Sequence, residues 1–169
     1  MATQINVRLR EPTGNTVYDT YLETIRLTER LHRQFLEVVK AELDRLGIED
    51  INNVQTLILF NIGRDELTVG ELTLRGYYLG SNVSYNVRKM VEHGYLQQER
   101  STHDRRSVHV RLSPKGLALW DKVDSMFDRQ VSALKEIEVG QSLEAANTSF
   151  KRLERFWIGL IDYIARPAA

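Results

Sequence analysis

The sequence predicts a mainly α-helical protein carrying one small β-hairpin, and three observations predict it. Apolar residues recur at steps of three and four through two long flanking stretches. A short alternating run, Val108-His109-Val110-Arg111-Leu112, interrupts that pattern. Between the flanks, capping signals lie so close together that only brief helices fit.

Taken in order, residues 1–15 mix Pro12, Gly14 and polar residues and predict an N-terminal arm. From Thr16 to Leu46 a helix is expected, with the stripe Tyr21, Ile25, Thr28, His32, Phe35, Val39, Leu43 and Leu46, stopped by Gly47. A second stripe, Leu22, Leu31 and Val38, gives it two faces to bury. Asn52 and Gln55 have the spacing of a capping box and open a short helix ending at Gly63. Thr68 and Glu71 form a second box, with Leu67 and Leu72 placed as a hydrophobic staple, for a helix ending near Gly76. After the turn Tyr77–Gly80, Ser81 is expected to cap a helix to His93, with Gly94 as its left-handed C-cap.

Residues 95–100 and 108–112 predict two strands joined by the polar turn STHDRRS. Ser113 and Pro114 then supply a cap and a first-turn proline for a long helix through Leu117, Trp120, Val123, Phe127, Val131, Leu134 and Ile137. A break at Gly140 precedes a last helix from about Ser142, striped by Leu143, Ala146, Phe150, Leu153, Trp157, Leu160 and Ile164. The order helix, helix, turn, helix, strand, arginine-bearing turn, strand is that of a winged helix-turn-helix. The expected organisation is an arm (1–15), a head (51–113) and a helical dimerisation region (16–50 and 114–169).

Composition narrows the function classes. With 42% hydrophobic and 27% charged residues the chain falls in the globular range. It has no cysteine, which excludes disulfides, thiolate metal sites and thiol redox sensing. No apolar run approaches the ~20 residues of a membrane span, and the N-terminus lacks the apolar segment of a signal peptide, so a cytoplasmic protein is expected. Net charge is zero, yet eight basic residues against three acidic ones between Arg75 and Lys115 give +5 there and −5 elsewhere. One section is built to face an anion.

Within it, the helix 81–93 places Val83, Val87, Met90 and Val91 inside about 100° of arc, the width of a core-facing stripe. Opposite lie Ser81, Asn82, Ser84, Tyr85, Arg88 and Lys89, of which asparagine and arginine match adenine and guanine edges by paired hydrogen bonds. An ordinary amphipathic helix with a wet face would carry the same pattern, and Glu92 on that face suits it. The turn residues His103, Asp104, Arg105 and Arg106 weigh the other way. Adjacent arginines repel one another, gaining most when an anion arrives, and on a protruding ribbon they suit a phosphate or the minor groove. Asp104 has the reach to orient its neighbouring guanidinium.

The stretch from Glu66 to Leu119 resembles the multiple-antibiotic-resistance regulator (MarR) family. The resemblance is carried by Gly94-Tyr95-Leu96 at the end of a helix, Asp104-Arg105-Arg106 in the wing and Leu112-Ser113-Pro114-Lys115-Gly116 leading into the next helix. It implies a triangular homodimer whose recognition helices enter successive major grooves of a pseudo-palindromic double-stranded operator, with the wings alongside. The long turn Gly76–Gly80 departs from the family's shorter one. IEDINNVQ and LGSNVSYNVRKMVEHGY further resemble a subgroup that regulates L,D-transpeptidases of cell-wall remodelling. The family commonly takes a small aromatic or phenolic effector between helical region and head. Candidates for that site are His32, Phe35, Leu36, Val39, Phe60 and Trp120, each equally explained by core packing.

Phe150, Phe156, Trp157, Ile161, Tyr163 and Ile164 carry more apolar area than a monomer of this size hides. An obligate homodimer interface of roughly 2,000 Å² would cover it. His93, His103 and His109 lack the spacing and companion ligands of a metal site, and no nucleophile motif or paired catalytic carboxylate is present. Neither enzyme nor cofactor is expected. The alternative to a DNA regulator is a winged helix used as a protein-interaction module in a larger assembly.

Overall fold

The structure, a computed structural model, describes residues 16–76, 80–100, 108–136 and 139–165. The expected arm, the turn Tyr77–Leu79 and the wing-tip residues His103, Asp104, Arg105 and Arg106 lie outside the described residues.

Helix α1 runs Thr16–Arg45. Gly47 ends it at φ 65°, with Gly47 N–H bonded to the Asp44 carbonyl (3.1 Å) and Ile48 N–H to that of Leu43 (3.0 Å). That paired closure is a Schellman motif, which needs a residue tolerant of positive φ. Helix α2 (Asn53–Ile62) starts on a complete capping box, Asn52 and Gln55 each accepting the other's backbone N–H. Strand β1 (Leu67–Thr68) leads into helix α3 (Val69–Gly76), capped by Thr68 and Glu71 as expected.

Helix α4 spans Gly80–Glu92, starting one residue ahead of the expected Ser81 cap, so Ser81 belongs to the helix itself. Gly94 (φ 76°) closes it, with Gly94 N–H on Val91 (3.0 Å) and Tyr95 N–H on Met90 (2.8 Å), a second Schellman motif. Strands β2 (Leu96–Arg100) and β3 (Val108–Leu112) pair antiparallel, Gln98 facing Val110. Helix α5 covers Pro114–Glu136 and helix α6 Gly140–Ala165; Gly140 opens α6 rather than breaking the chain before it.

The sheet differs from the expected hairpin. It has three strands in the order β1-β3-β2, with Leu67 facing Val110 and Thr68 facing His109. Two residues give no period to read, and their partner lies some forty positions away in sequence. Leu67, expected only as a staple, is a buried residue of strand β1.

The chain divides into two compact units at Trp120 and Asp121, inside α5. In the first, α1 contributes Val39 and Leu43, α2 Ile58, Leu59 and Ile62, α3 Leu72, α4 Val83, Val87 and Met90, and the sheet Leu67, Leu96, Val110 and Leu112, all buried. Each such residue stabilises the fold by about 1.5–3 kcal/mol through removal of apolar surface from water. In the second, Val123 and Met126 are buried while much of α6 is exposed.

One expectation for α1 is corrected. Its stripe is fully buried only at Val39 and Leu43; Tyr21, Ile25, Phe35 and Leu46 are half-buried, Thr28 and His32 are exposed, and so are Leu31 and Val38 of the second stripe. Helical period gives the direction in which a residue points but not whether the same chain supplies something to meet it.

Candidate nucleic-acid interface

Helix α4 is fixed by three apolar anchors. Val83, Val87 and Met90 are between 0 and 3% exposed. With that face committed to the core, Asn82, Ser84, Tyr85 and Arg88 stand outward in solvent, Tyr85 at 55% exposure. A fourth tie comes from the polar side. Gln55, buried at the start of α2, donates from Nε2 to the Asn86 side chain at 3.2 Å, and Asn86 in turn donates to the Asn82 carbonyl at 2.9 Å. The side chain that completes the α2 capping box therefore also holds α4, a double use that spacing alone does not reveal.

The charged residues divide into paired and unpaired. Lys89 donates to Glu92 at 2.7 Å, a hydrogen bond that raises the lysine pKa and lowers that of the carboxyl. Arg111 meets Glu99 across the strands at 3.2 Å, and Lys115 meets Asp50 at 2.5 Å. Arg88 makes no ion pair among the described residues and is exposed. The basic character of this section is thus less uniform than its +5 implies, and Arg88 is the outward cation of the helix face.

The C-terminal end of α4 enters a cluster that sequence reasoning missed. Asp50, in the α1–α2 link, accepts the Tyr95 hydroxyl on Oδ1 and the Lys115 ammonium on Oδ2, both at 2.5 Å. Its backbone carbonyl meets the His93 ring, and Lys115 also donates to the His93 carbonyl at 2.9 Å. The Lys115 ammonium sits 4.1 Å from the Tyr95 ring centroid, a cation–π distance. Lys115 and Tyr95 hold the Asp50 carboxyl below the usual carboxylate range, while burial and then the Asp50 hydrogen bond push the Tyr95 hydroxyl up. The lowered carboxyl contributes stability above about pH 4 and loses it on acidification. The raised phenol contributes below about pH 10 and loses it as pH climbs further.

Beside this cluster the family-like motif residues acquire physical roles. Ser113 accepts Gly116 N–H on Oγ (3.0 Å) as the α5 cap and donates to the Gly94 carbonyl (2.6 Å). Its own N–H bonds to the Tyr95 carbonyl at 3.0 Å. Gly116 lies so near that carbonyl that a Cβ would fall 2.2 Å from its oxygen. The only signal in the sequence was the Gly-Tyr-Leu and Leu-Ser-Pro-Lys-Gly pattern itself.

The effector candidates are not gathered in one place. Phe60 and Trp120 stack at 5.4 Å between centroids, Trp120 Nε1 donates to the Phe60 carbonyl, and the Arg64 guanidinium lies 5.3 Å from the Trp120 ring. Val39 is in the core, Phe35 and Leu36 are half-buried, and His32 is exposed. A cleft of about 390 Å³ at the α1–α2 corner is lined instead by Lys40, Leu43, Asp44, Ile48, Glu49, Ile51, Asn52 and Asn53. Among the described residues there is no cluster of three potential metal ligands and no helix long and apolar enough to cross a membrane.

Residues 51–116 match the family described as "Winged helix DNA-binding domain". The chain is 39% identical over 145 residues to an exopolysaccharide II synthesis transcriptional activator, ExpG, of Rhizobium meliloti, covering 85% of this chain and 75% of that one. Among solved structures it is similar to Streptococcus pneumoniae FabT in complex with DNA (TM-score 0.68, 18% identity, 83% of this chain and 99% of the other). It is also similar to AbsC, a MarR family transcriptional regulator from Streptomyces coelicolor (TM-score 0.65, 19% identity, 83% and 96%).

Proposed function

The chain belongs to the MarR family of winged-helix transcription regulators, and from that premise we propose that it reads a pseudo-palindromic DNA operator as a homodimer. It is a DNA-binding regulator and not an enzyme. The observation that carries the finer reading is the commitment of α4: Val83, Val87 and Met90 are locked into the core, so Asn82, Ser84, Tyr85, Arg88 and Lys89 form its outer surface, and Ser81 joins them in the proposal from its place in the sequence. In the major groove, Asn82 and Arg88 read base edges while Tyr85 and the serines reach phosphates or a thymine methyl. His103, Asp104, Arg105 and Arg106 anchor the wing on the backbone or in the minor groove.

Fluorescence anisotropy at two salt concentrations tests this. Asn82→Ala or Arg88→Ala lowers affinity by about 1–3 kcal/mol on some sequences and not on others. Arg105→Ala with Arg106→Ala weakens binding to every duplex and flattens the salt dependence, because fewer counterions are released. Unchanged affinity in all of them would overturn the proposal.

The homodimer is supported by the apolar side chains that α6 leaves in solvent, Phe156, Ile161, Tyr163 and Ile164 among them. A small aromatic or phenolic effector is the proposed modulator, with the Phe60–Trp120 stack the best-defined aromatic surface among its candidates. It acts by binding one spacing of the two heads better than the other, which shifts the population bound to DNA. For regulated genes we propose those of cell-wall L,D-transpeptidases. The role of the Rhizobium relative in exopolysaccharide II synthesis is the competing expectation, and genome-wide footprinting decides between them.

A further inference from the structure

Asp50 gathers three contacts, two on its carboxylate and one on its backbone carbonyl, from two other segments, although it is half-exposed and its ion pair contributes little to stability. What the contacts do is geometric. His93 and Tyr95 are the first residues beyond α4, and Tyr95 immediately precedes β2. Lys115 stands in the first turn of α5, directly after β3. One carboxylate and its own carbonyl therefore pin the end of the base-reading helix to the root of the wing. Lys115, although half-exposed, spends its ammonium on the Asp50 carboxylate, the His93 carbonyl and the Tyr95 ring, contacts within the protein.

We propose that Asp50 is a positioning residue for sequence recognition: it holds the exit of α4 and the root of the wing in one register, so that both meet the same duplex. The inference rests on the DNA-reading function proposed above. It separates two roles within the basic section, since Lys115 serves geometry where Arg88 serves contact.

The test uses the full-length protein and a duplex selected by it from a random pool, against a scrambled duplex of equal length. Asp50→Asn and Lys115→Met each lose about tenfold on the selected duplex, roughly one base contact's worth of discrimination, with the scrambled duplex nearly unaffected. The salt slope stays unchanged, since no phosphate contact is removed. Combining the two substitutions adds little to either, because both break the same junction. Should Asp50→Asn fail to fold, as judged by its melting curve, Lys115→Met decides by the same ratio. An equal loss on both duplexes, or an unchanged ratio, would overturn the inference, and a flattened slope in Lys115→Met would make that lysine a phosphate ligand instead. A wild-type protein that selects no duplex at all refutes the DNA-reading proposal itself, a distinct outcome.

Discussion

A Cβ on Gly116 would lie 2.2 Å from the carbonyl oxygen of Tyr95 and 3.2 Å from its carbonyl carbon, so alanine there forces α5 and the start of β2 apart. Neither is a flexible side-chain tip; both atoms belong to one backbone carbonyl, which accepts the Ser113 N–H. The expected penalty for Gly116→Ala is about 1–3 kcal/mol, read as a lower denaturation midpoint with an unchanged m-value. Gly140→Ala, whose Cβ meets nothing within 4 Å, is the control and should be close to neutral or slightly stabilising. At this scale the sequence was informative where chemistry is local. Asn52 with Gln55, Thr68 with Glu71, Gly47 and Gly94 all act within one turn, and each does what its spacing implied. Asp50 was silent because its partners are His93, Tyr95 and Lys115, gathered by folding from positions over forty residues away.

Among the elements, α3 is the shortest helix and the most dependent on its ends. Its eight residues leave few internal hydrogen bonds, so the Thr68–Glu71 box carries a large share of its order. Thr68→Ala should lower stability by about 1 kcal/mol. Because Thr68 also ends β1, amide exchange should quicken in both α3 and the β1–β3 pairing; quickening confined to α3 would show the two elements to be independent. Strand β1 shows why a sequence underdetermines a sheet. Leu67 looked like half of a staple to Leu72, and both are buried, but its backbone pairing to Val110 leaves no periodic trace. For α1 the failure was of the opposite kind: a clear stripe through His32 that the chain buries only in its second half.

For the molecule as a whole, the apolar surface in solvent is the unfinished part. Ile161 is 64% exposed and Tyr163 76%, in a helix whose outward positions are apolar over several turns. Ile161→Glu should raise the dissociation constant of the proposed homodimer at least tenfold in sedimentation equilibrium, since covering that helix with a second copy would then bury an unpaired carboxylate. A protein that remains equally dimeric places the interface elsewhere. The strand order β1-β3-β2 bears on what kind of assembly is open to the chain. The most apolar strand, β3, is flanked on both sides, which leaves as free edges a two-residue strand and the polar run Gln97-Gln98-Glu99 of β2. One edge is too short to template a neighbour, and the other carries charge and amides where an incoming strand would want apolar partners. The wing can therefore project from the protein without acting as a seed for aggregation.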